Sequence, residues 1–205
     1  MIKISATQLE SYRRMLDSVI TPEQFERSLL RLDPPNEMMT RGTLFHEMMQ
    51  AHDPSVFESD FDLDCILEAR SKMDYRNPIF EYKVRKQFRT KFGDISVTGV
   101  ADQLLGLDVV EIKTRYSPSS FDAYYNSMQW KVYCELFKSN WVVYKVFEFD
   151  SPEARNFKAY SQYVFPRPVN NYEDVYNMIH YLHEYIMVRG LDKEPVLQLQ
   201  PGVLP

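Results

Sequence analysis

Several common classes of protein are disfavoured by what this sequence lacks. Its 205 residues contain no apolar run of the roughly 18–20 residues that span a membrane. The N-terminal segment Met1–Ser5 has none of the long apolar stretch of a secretory signal. We therefore expect a cytoplasmic protein with no membrane partner. Only six glycines are present, which disfavours a chain built mainly of tight β-turns.

Cysteine is also scarce. Cys65 and Cys134 lie far apart, each among residues that favour helix. We expect two buried free thiols, because a structural disulfide is unusual in a cytosolic protein. The sequence contains no G-x-x-x-x-G-K-[ST] loop either, so helicase motifs of the P-loop type are absent.

The composition is that of a globular protein. Hydrophobic residues make up 44% of the chain, aromatic residues 14% and charged residues 26%, which is enough apolar surface for a sizeable core. We predict a single domain over residues 1–190, with a mainly helical part at 1–77 and an α/β catalytic core at 78–190. Residues 191–205 have little pattern and are interpreted as a C-terminal tail.

Local patterns alternate between helices and strands. Capping signals predict helices that begin near Ser5, Thr21 and Asn36, the last of them ending near His52. Further helices are expected over 61–75, 117–139 and 171–189, and strands over 81–91, 95–104, 108–114, 141–149 and 157–165. The order predicts a small mixed β-sheet flanked by helices. The helix over 117–139 is long enough to connect two parallel strands.

The distribution of charge leaves two interpretations open. The net charge of −5 disfavours a polyanionic partner, yet residues 83–91 carry five positive side chains and no acid. Such a segment is typical of a strand edge that is protected by charge. That interpretation is favoured for this stretch alone, and the alternative is a surface that contacts phosphate groups.

One segment carries the pattern of a catalytic hairpin. A two-residue turn at Gly106-Leu107 would place Asp102 directly opposite Glu111 on the neighbouring strand. Lys113 then shares the face of Glu111, because side chains alternate along a strand. The other face would be apolar, with Val100, Val110 and Ile112.

This pairing has a chemical consequence. Two facing carboxylates repel each other, and a hard divalent cation such as Mg²⁺ or Mn²⁺ removes the repulsion. A nearby lysine can orient water or stabilise charge on a phosphate, so the set suits metal-assisted phosphodiester hydrolysis. The alternative is a surface hairpin that bears an ordinary Glu–Lys pair.

The segment from Gly99 to Lys113 resembles the catalytic hairpin of PD-(D/E)XK nucleases. Three further segments resemble motifs of the RecB-like exonuclease branch, in the same order. Ser5–Tyr12 is similar to S-x-S-Q-L-x-x-Y, Arg41–Glu47 to a helix with G-x-x-x-H, and Gln129–Tyr133 to Q-x-x-x-Y. The resemblance extends over about two thirds of the chain and implies the PD-(D/E)XK core, which is also known as the restriction-endonuclease-like fold.

The resemblance also implies roles for particular residues. Asp102 and Glu111 would bind the metal with the Ile112 carbonyl, and His46 would complete the metal shell. Lys113 would position the attacking water. For His46 the alternative is a core histidine.

The resemblance also implies roles for residues around this metal site. Gln129 and Tyr133 would hold the scissile backbone, although an aromatic core stripe would give the same pattern. Glu81 lies where this group often has a glutamate near the metal, and an exposed strand-edge charge is its alternative. The candidate phosphate contacts are Arg85, Lys86, Arg89 and Lys131.

One feature departs from part of that branch. Some RecB-like nucleases hold an iron–sulfur cluster with four cysteines, and two cysteines cannot supply these ligands. We therefore expect no cluster. The resemblance implies a stand-alone, phage-type DNA exonuclease active in recombination or DNA degradation, with a recombination or single-strand-binding protein as a further partner. The alternatives are a structure-specific endonuclease and a non-catalytic nucleic-acid-binding subunit of the same fold.

Overall fold

A computed structural model describes residues 1–76, 78–117 and 120–198. Within these residues six strands form one mixed sheet: β1 (Ile2–Ser5), β2 (Ile79–Thr90), β3 (Gly93–Leu105), β4 (Asp108–Arg115), β5 (Trp141–Glu148) and β6 (Ala159–Pro166). The strand order is β1-β3-β4-β5-β6, and β2 pairs with β3. The β1–β3 and β4–β5 pairs are parallel, and the other pairs are antiparallel.

The helices of the described residues begin largely where the capping signals predict. They are α1 (Ala6–Leu16), α2 (Pro22–Leu29), α3 (Glu37–Gln50), α4 (Leu63–Ser71), α5 (Phe121–Tyr125), α6 (Met128–Phe137) and α7 (Asn171–Val188). Ser5 and Thr21 form complete capping boxes, and the Asn36 side chain accepts the Met39 N–H. The remaining helical segments are short 3₁₀ turns at Pro54–Val56, Leu191–Lys193 and Pro195–Leu197.

The sheet separates two hydrophobic cores. The larger core packs α1, α2, α6 and α7 against the sheet, and the smaller one packs α3 and α4. Val109 belongs to the first core and Val110 to the second, as expected for neighbours on one strand. The prediction of a mixed sheet flanked by helices is confirmed, and so is the parallel pairing of β4 and β5.

The N-terminal segment differs from the prediction. Its four residues form β1 and pair with β3 through Ile2↔Ile95 to Ser5↔Thr98. Ile2 and Ile4 are buried, whereas Lys3 and Ser5 are half-buried. A strand this short has little pattern of its own, and its partner lies some ninety positions along the chain. Its stability comes from tertiary pairing and packing that local sequence does not encode.

The single helix predicted over 117–139 is also wrong. Two helices, α5 and α6, are present, and the Ser127 side chain caps the second by accepting the Gln129 N–H at 3.1 Å. A serine that bonds the backbone locally favours a new helix start over continuation. The predicted beginning at Pro118 lies outside the described residues. The helix expected over 61–75 is shorter than predicted and spans only α4.

The first part of the predicted tail packs on the domain. Leu197 is 1% exposed, and Lys3 Nζ donates to the Gln198 carbonyl at 2.6 Å. Residues 199–205 lie outside the described residues. Cys65 and Cys134 are buried free thiols, as predicted. Among the described helices, none combines the length and the apolar character that crossing a membrane requires.

Gly99 allows α6 to approach β3 closely. A β-carbon at this position would lie 2.8 Å from Leu136 Cδ1 and 3.0 Å from Tyr133 Cε1. We expect Gly99→Ala to lower the free energy of unfolding by about 1–3 kcal/mol, because packed side chains must shift to admit the methyl group. Urea denaturation measures this change.

The Leu136→Ala background supplies the control for Gly99→Ala. Removing the Leu136 side chain vacates part of the space that the new methyl group needs. The two substitutions should therefore be non-additive, with the double variant more stable than the sum of the single losses predicts. Equal unfolding midpoints for wild type and Gly99→Ala would contradict the close packing of α6.

Candidate active site

The site occupies a gap in the sheet. One edge of β3 pairs with β1 as far as Thr98 and then with β4 from Gln103 onwards. Between these ladders, residues 99–102 have no strand partner on that edge within the described chain. β4 leaves β3 after Val110 and pairs with β5 along its whole length. The gap opens a cavity of about 660 Å³ between the end of β1, β3 and β4.

On β2 and β3, beside the gap, the alternation of side chains between the two faces of the sheet is interrupted at one point. Ala101 and Leu104 lie three residues apart, yet both pack in the larger core. Opposite them on β2, Glu81 has a φ of 51°, and neither Glu81 nor Asp102 belongs to the β2–β3 ladder. Such irregularities bend a strand and redirect its side chains. Val100, predicted on the apolar face, lines the cavity beside Asp102 instead, because residues two apart on a strand share a face.

The two carboxylates meet across the gap. The hairpin register is confirmed by the pairs Leu105↔Asp108 to Gln103↔Val110. The next predicted pair, Asp102 with Glu111, is replaced by bonds between side chain and backbone. Ile112 N–H donates to Asp102 Oδ2 at 2.6 Å, and Asp102 N–H donates to Glu111 Oε1 at 3.3 Å. These bonds satisfy backbone donors at the point where the ladder ends.

Lys113 connects β4 to α6. Its Nζ donates to Glu111 Oε2 at 2.9 Å and to Gln129 Oε1 at 3.2 Å. Gln129 Nε2 donates to the Tyr133 hydroxyl at 3.1 Å, which in turn donates to the Val100 carbonyl at 3.1 Å. The Q-x-x-x-Y segment therefore lies beside the lysine, as the motif predicts, and fixes its position.

Helix α3 closes the other side of the gap. His46 Nδ1 lies 3.5 Å from Asp102 Oδ1, and the side chain is 25% exposed, so His46 is not a core histidine. A β-carbon on Gly42 would lie 3.0 Å from Thr114 Oγ1. The glycine of the G-x-x-x-H segment thus permits the close approach of α3 to β4.

Some cavity residues were not predicted as site residues. Glu47 and Lys83 line the cavity, together with Ser5, Ala6, Thr7, Thr43, Gln50 and Thr98. Lys83 lies two residues after Glu81 on β2. Because residues two apart on a strand share a face, this spacing could have identified Lys83 as a site residue. Glu81 itself lines the cavity and accepts Gln50 Nε2 at 2.9 Å.

The predicted phosphate contacts do not come together. Strand alternation separates Arg85 and Arg89, both exposed, from Lys86, which lies among rings on the helical side. Lys86 forms an ion pair with the buried Glu135, and Lys131 binds Asp174 at 3.0 Å. None of these four side chains lines the cavity at the gap.

Burial and mutual repulsion set the charge of the site. Burial first, and then the charge of Asp102, raise the pKa of Glu111 from 4.5 to about 7. Burial also acts on Asp102, but the bond to His46 and its charge outweigh it and lower the pKa of Asp102. Burial lowers the pKa of Lys113, but Glu111 and Asp102 more than offset this effect, so the pKa is raised.

The residue types at the gap fit a hard divalent cation. In the described chain no three His, Cys, Asp or Glu side chains form a group that could hold a metal ion. Lys113 and backbone N–H groups bond the two carboxylates instead. The electrostatic observation nevertheless points to a cation. Glu111 is 2% exposed and beside a second carboxylate, and a positive ion would relieve the repulsion that raises its pKa. Oxygen ligands with one imidazole suit Mg²⁺ or Mn²⁺.

Comparison with known proteins identifies the fold. No family model and no curated protein matches the sequence. The crystal structure of SSO0001 is similar with a TM-score of 0.56 at 17% identity, over 92% of this chain and 77% of that one. LHK-Exo, solved in complex with dAMP, is similar with a TM-score of 0.51 at 13% identity, over 91% and 89%. The likeness to these two structures confirms the predicted fold class, a mixed α/β fold with a β-sheet flanked by helices.

The raised pKa of Glu111 predicts a pH dependence. An acid whose pKa is higher in the folded state favours folding when protonated, so stability falls as pH rises from 4.5 through about 7. We expect metal-free wild-type protein to lose stability relative to Glu111→Gln across this range. Denaturant titrations in chelator at several pH values measure the difference. Parallel stability curves for the two proteins would show that Glu111 is not repelled in this way.

Proposed function

We propose that this protein is a metal-dependent exonuclease of the RecB-like branch that hydrolyses phosphodiester bonds from DNA ends. The observation that carries the proposal is the convergence of His46, Asp102, Glu111, Lys113 and Gln129 on one gap in the sheet. The fold shared with LHK-Exo, an exonuclease by name that was solved with dAMP, supports the same activity. The absence of an iron–sulfur cluster belongs to this proposal.

Each group has a chemical task in this proposal. Asp102, Glu111 and His46 would hold Mg²⁺ or Mn²⁺, with the Ile112 carbonyl as a further ligand. The bound ion would supply Lewis-acid polarisation of the phosphodiester and neutralise developing negative charge. Lys113 would stabilise charge on the phosphate and orient a water. Gln129 holds Lys113 from the side of α6 and limits its motion.

The surroundings of the gap suit an anionic strand. Helix α1 begins at the cavity, with Ser5, Ala6 and Thr7 in its wall. The N-terminal end of a helix carries partial positive charge and favours anions. Lys83 adds a full positive charge at the same cavity. These groups would hold substrate phosphates next to the two carboxylates.

The activity is tested with linear DNA and covalently closed circles, each incubated with Mn²⁺ or Mg²⁺. We expect linear DNA to be degraded and closed circles to stay intact, because α3 narrows one side of the gap and favours a single strand. Asp102→Asn, Glu111→Gln and Lys113→Ala should each reduce the rate on the order of 10²–10⁴-fold. Gel analysis of end-labelled substrates measures these rates.

Asp150→Asn is the matched control, since Asp150 is an exposed partner of Lys158 away from the gap. It should cleave DNA at the wild-type rate. Cleavage of closed circles as fast as linear DNA would replace the exonuclease with an endonuclease. Binding of DNA without any cleavage would favour the non-catalytic subunit.

His46 should set the preference between metals. Imidazole raises the affinity for Mn²⁺ relative to Mg²⁺ compared with a site built of carboxylates alone. We expect His46→Ala to weaken Mn²⁺ binding by at least about tenfold, with a smaller effect on Mg²⁺, while the protein stays folded. Isothermal titration calorimetry measures both affinities. His52→Ala, two residues beyond the end of α3, is the control, and equal Mn²⁺ affinity in all three proteins would remove His46 from the metal shell.

A further inference from the structure

A second groove meets the active-site cavity at Lys113 and Gln129. It has a volume of about 940 Å³ and runs between α1, β4, α5 and the start of α6. Lys113 and Gln129 line both spaces, so the two side chains form the boundary between them. A chain of nucleotides held at the gap would therefore extend into this groove. None of the sequence motifs identifies it.

Five cationic and three acidic side chains line the groove. Its acids Glu10 and Asp17 are both bound by Arg13, and Asp122 remains exposed at the rim. Lys113 and Lys131 are paired with Glu111 and Asp174 outside the lining, so Arg14 and Arg115 are the lining cations that form no ion pair within the described chain. Lys131 is the one predicted phosphate contact that lies here, where its ion pair with Asp174 is partly exposed.

Two buried tyrosine hydroxyls lack hydrogen bonds in this groove. Tyr144 is 1% exposed and Tyr124 is 9% exposed, and both line the groove. The Tyr144 hydroxyl lies near Ser127 and the Tyr124 hydroxyl near Arg115, but neither completes a hydrogen bond within the described chain. Buried hydroxyls without partners are rare in folded proteins.

Arg115 is placed to bind the same ligand. Its guanidinium carbon lies 5.5 Å from the centre of the Tyr124 ring, and within the described residues it donates a long hydrogen bond of 3.4 Å to Ser117 Oγ. No carboxylate lies within ion-pair distance of it in the part of the chain that the structure describes. A guanidinium beside hydroxyl donors is the arrangement that recognises phosphate oxygens.

We propose that this groove is a phosphate-binding subsite for the substrate nucleotide that lies beyond the cleaved bond, on the groove side of Lys113 and Gln129. The inference rests on the proposed nuclease function and deepens it. Arg115 and the Tyr124 hydroxyl contact the phosphate, and Arg14 and Lys131 attract the strand. The ligand is either the phosphodiester of a continuing strand or the monoester of a released nucleotide.

Binding in the presence of chelator tests the subsite without turnover. Fluorescence anisotropy with a 3′-labelled single-stranded ten-nucleotide thymidine oligomer gives the affinity of wild type, Arg115→Gln, Tyr124→Phe and the double variant. The double variant should bind at least about tenfold more weakly. For the double variant, the slope of log affinity against log salt concentration should decrease by the contribution of roughly one phosphate contact. Arg155→Gln and Tyr181→Phe, both at exposed positions outside the groove, should match wild type.

Competition distinguishes the two forms of the ligand. Thymidine monophosphate that displaces the oligomer from wild type but not from the double variant identifies a monoester subsite. Displacement by unlabelled oligomer alone identifies the phosphodiester of a continuing strand. Tyr124→Phe keeps the ring and its packing, so a loss in this variant reports the hydroxyl rather than the fold, which circular dichroism checks.

Two results would overturn the proposed subsite, and only one of them would also overturn the proposed nuclease function. If the groove variants bind the oligomer as wild type does while wild type degrades DNA, the subsite is wrong and the nuclease stands. If wild-type protein neither binds the oligomer nor cleaves DNA with Mn²⁺, both proposals fail together.

Discussion

The repulsion between Asp102 and Glu111 is the constraint on which the rest of the site depends. The two acids face each other where β3 and β4 separate, and one of them is almost completely buried. Such an arrangement costs free energy unless positive charge compensates it. In the protein alone, Lys113 and backbone N–H groups supply that compensation. A divalent cation would compensate more of the repulsion than these groups do.

The sheet creates this site by leaving one edge of β3 incomplete. β1 and β4 share that edge, and the residues between them carry no strand partner there within the described chain. The positive φ of Glu81 and the changed alternation at Asp102 lie at the same level. Irregular backbone of this kind is retained where a site needs it and where packing elsewhere holds it in place. The two cores, one on each side of the sheet, provide that packing.

Local signals in the sequence predict part of this arrangement. The turn at Gly106 and the period of two along β4 predict the hairpin register, and helix caps predict the beginnings of α1, α2 and α3. The sequence does not predict β1, because its pairing partner is distant in the chain. The prediction for Val100 is wrong for another reason: strand alternation already places Val100 on the face of Asp102. The partners of Lys86 and Lys131 are acids on α6 and α7, brought near only by folding.

Anomalous diffraction from a crystal grown with Mn²⁺ shows whether the gap in the sheet binds a divalent cation, as the proposed function requires. We expect an anomalous peak between the carboxylates, within about 2.5 Å of oxygens from both Asp102 and Glu111. His46 should be a ligand of the same ion. Anomalous peaks confined to other parts of the surface, with Glu111 still bonded to Lys113 and to the Asp102 N–H, would show that the gap does not hold the cation.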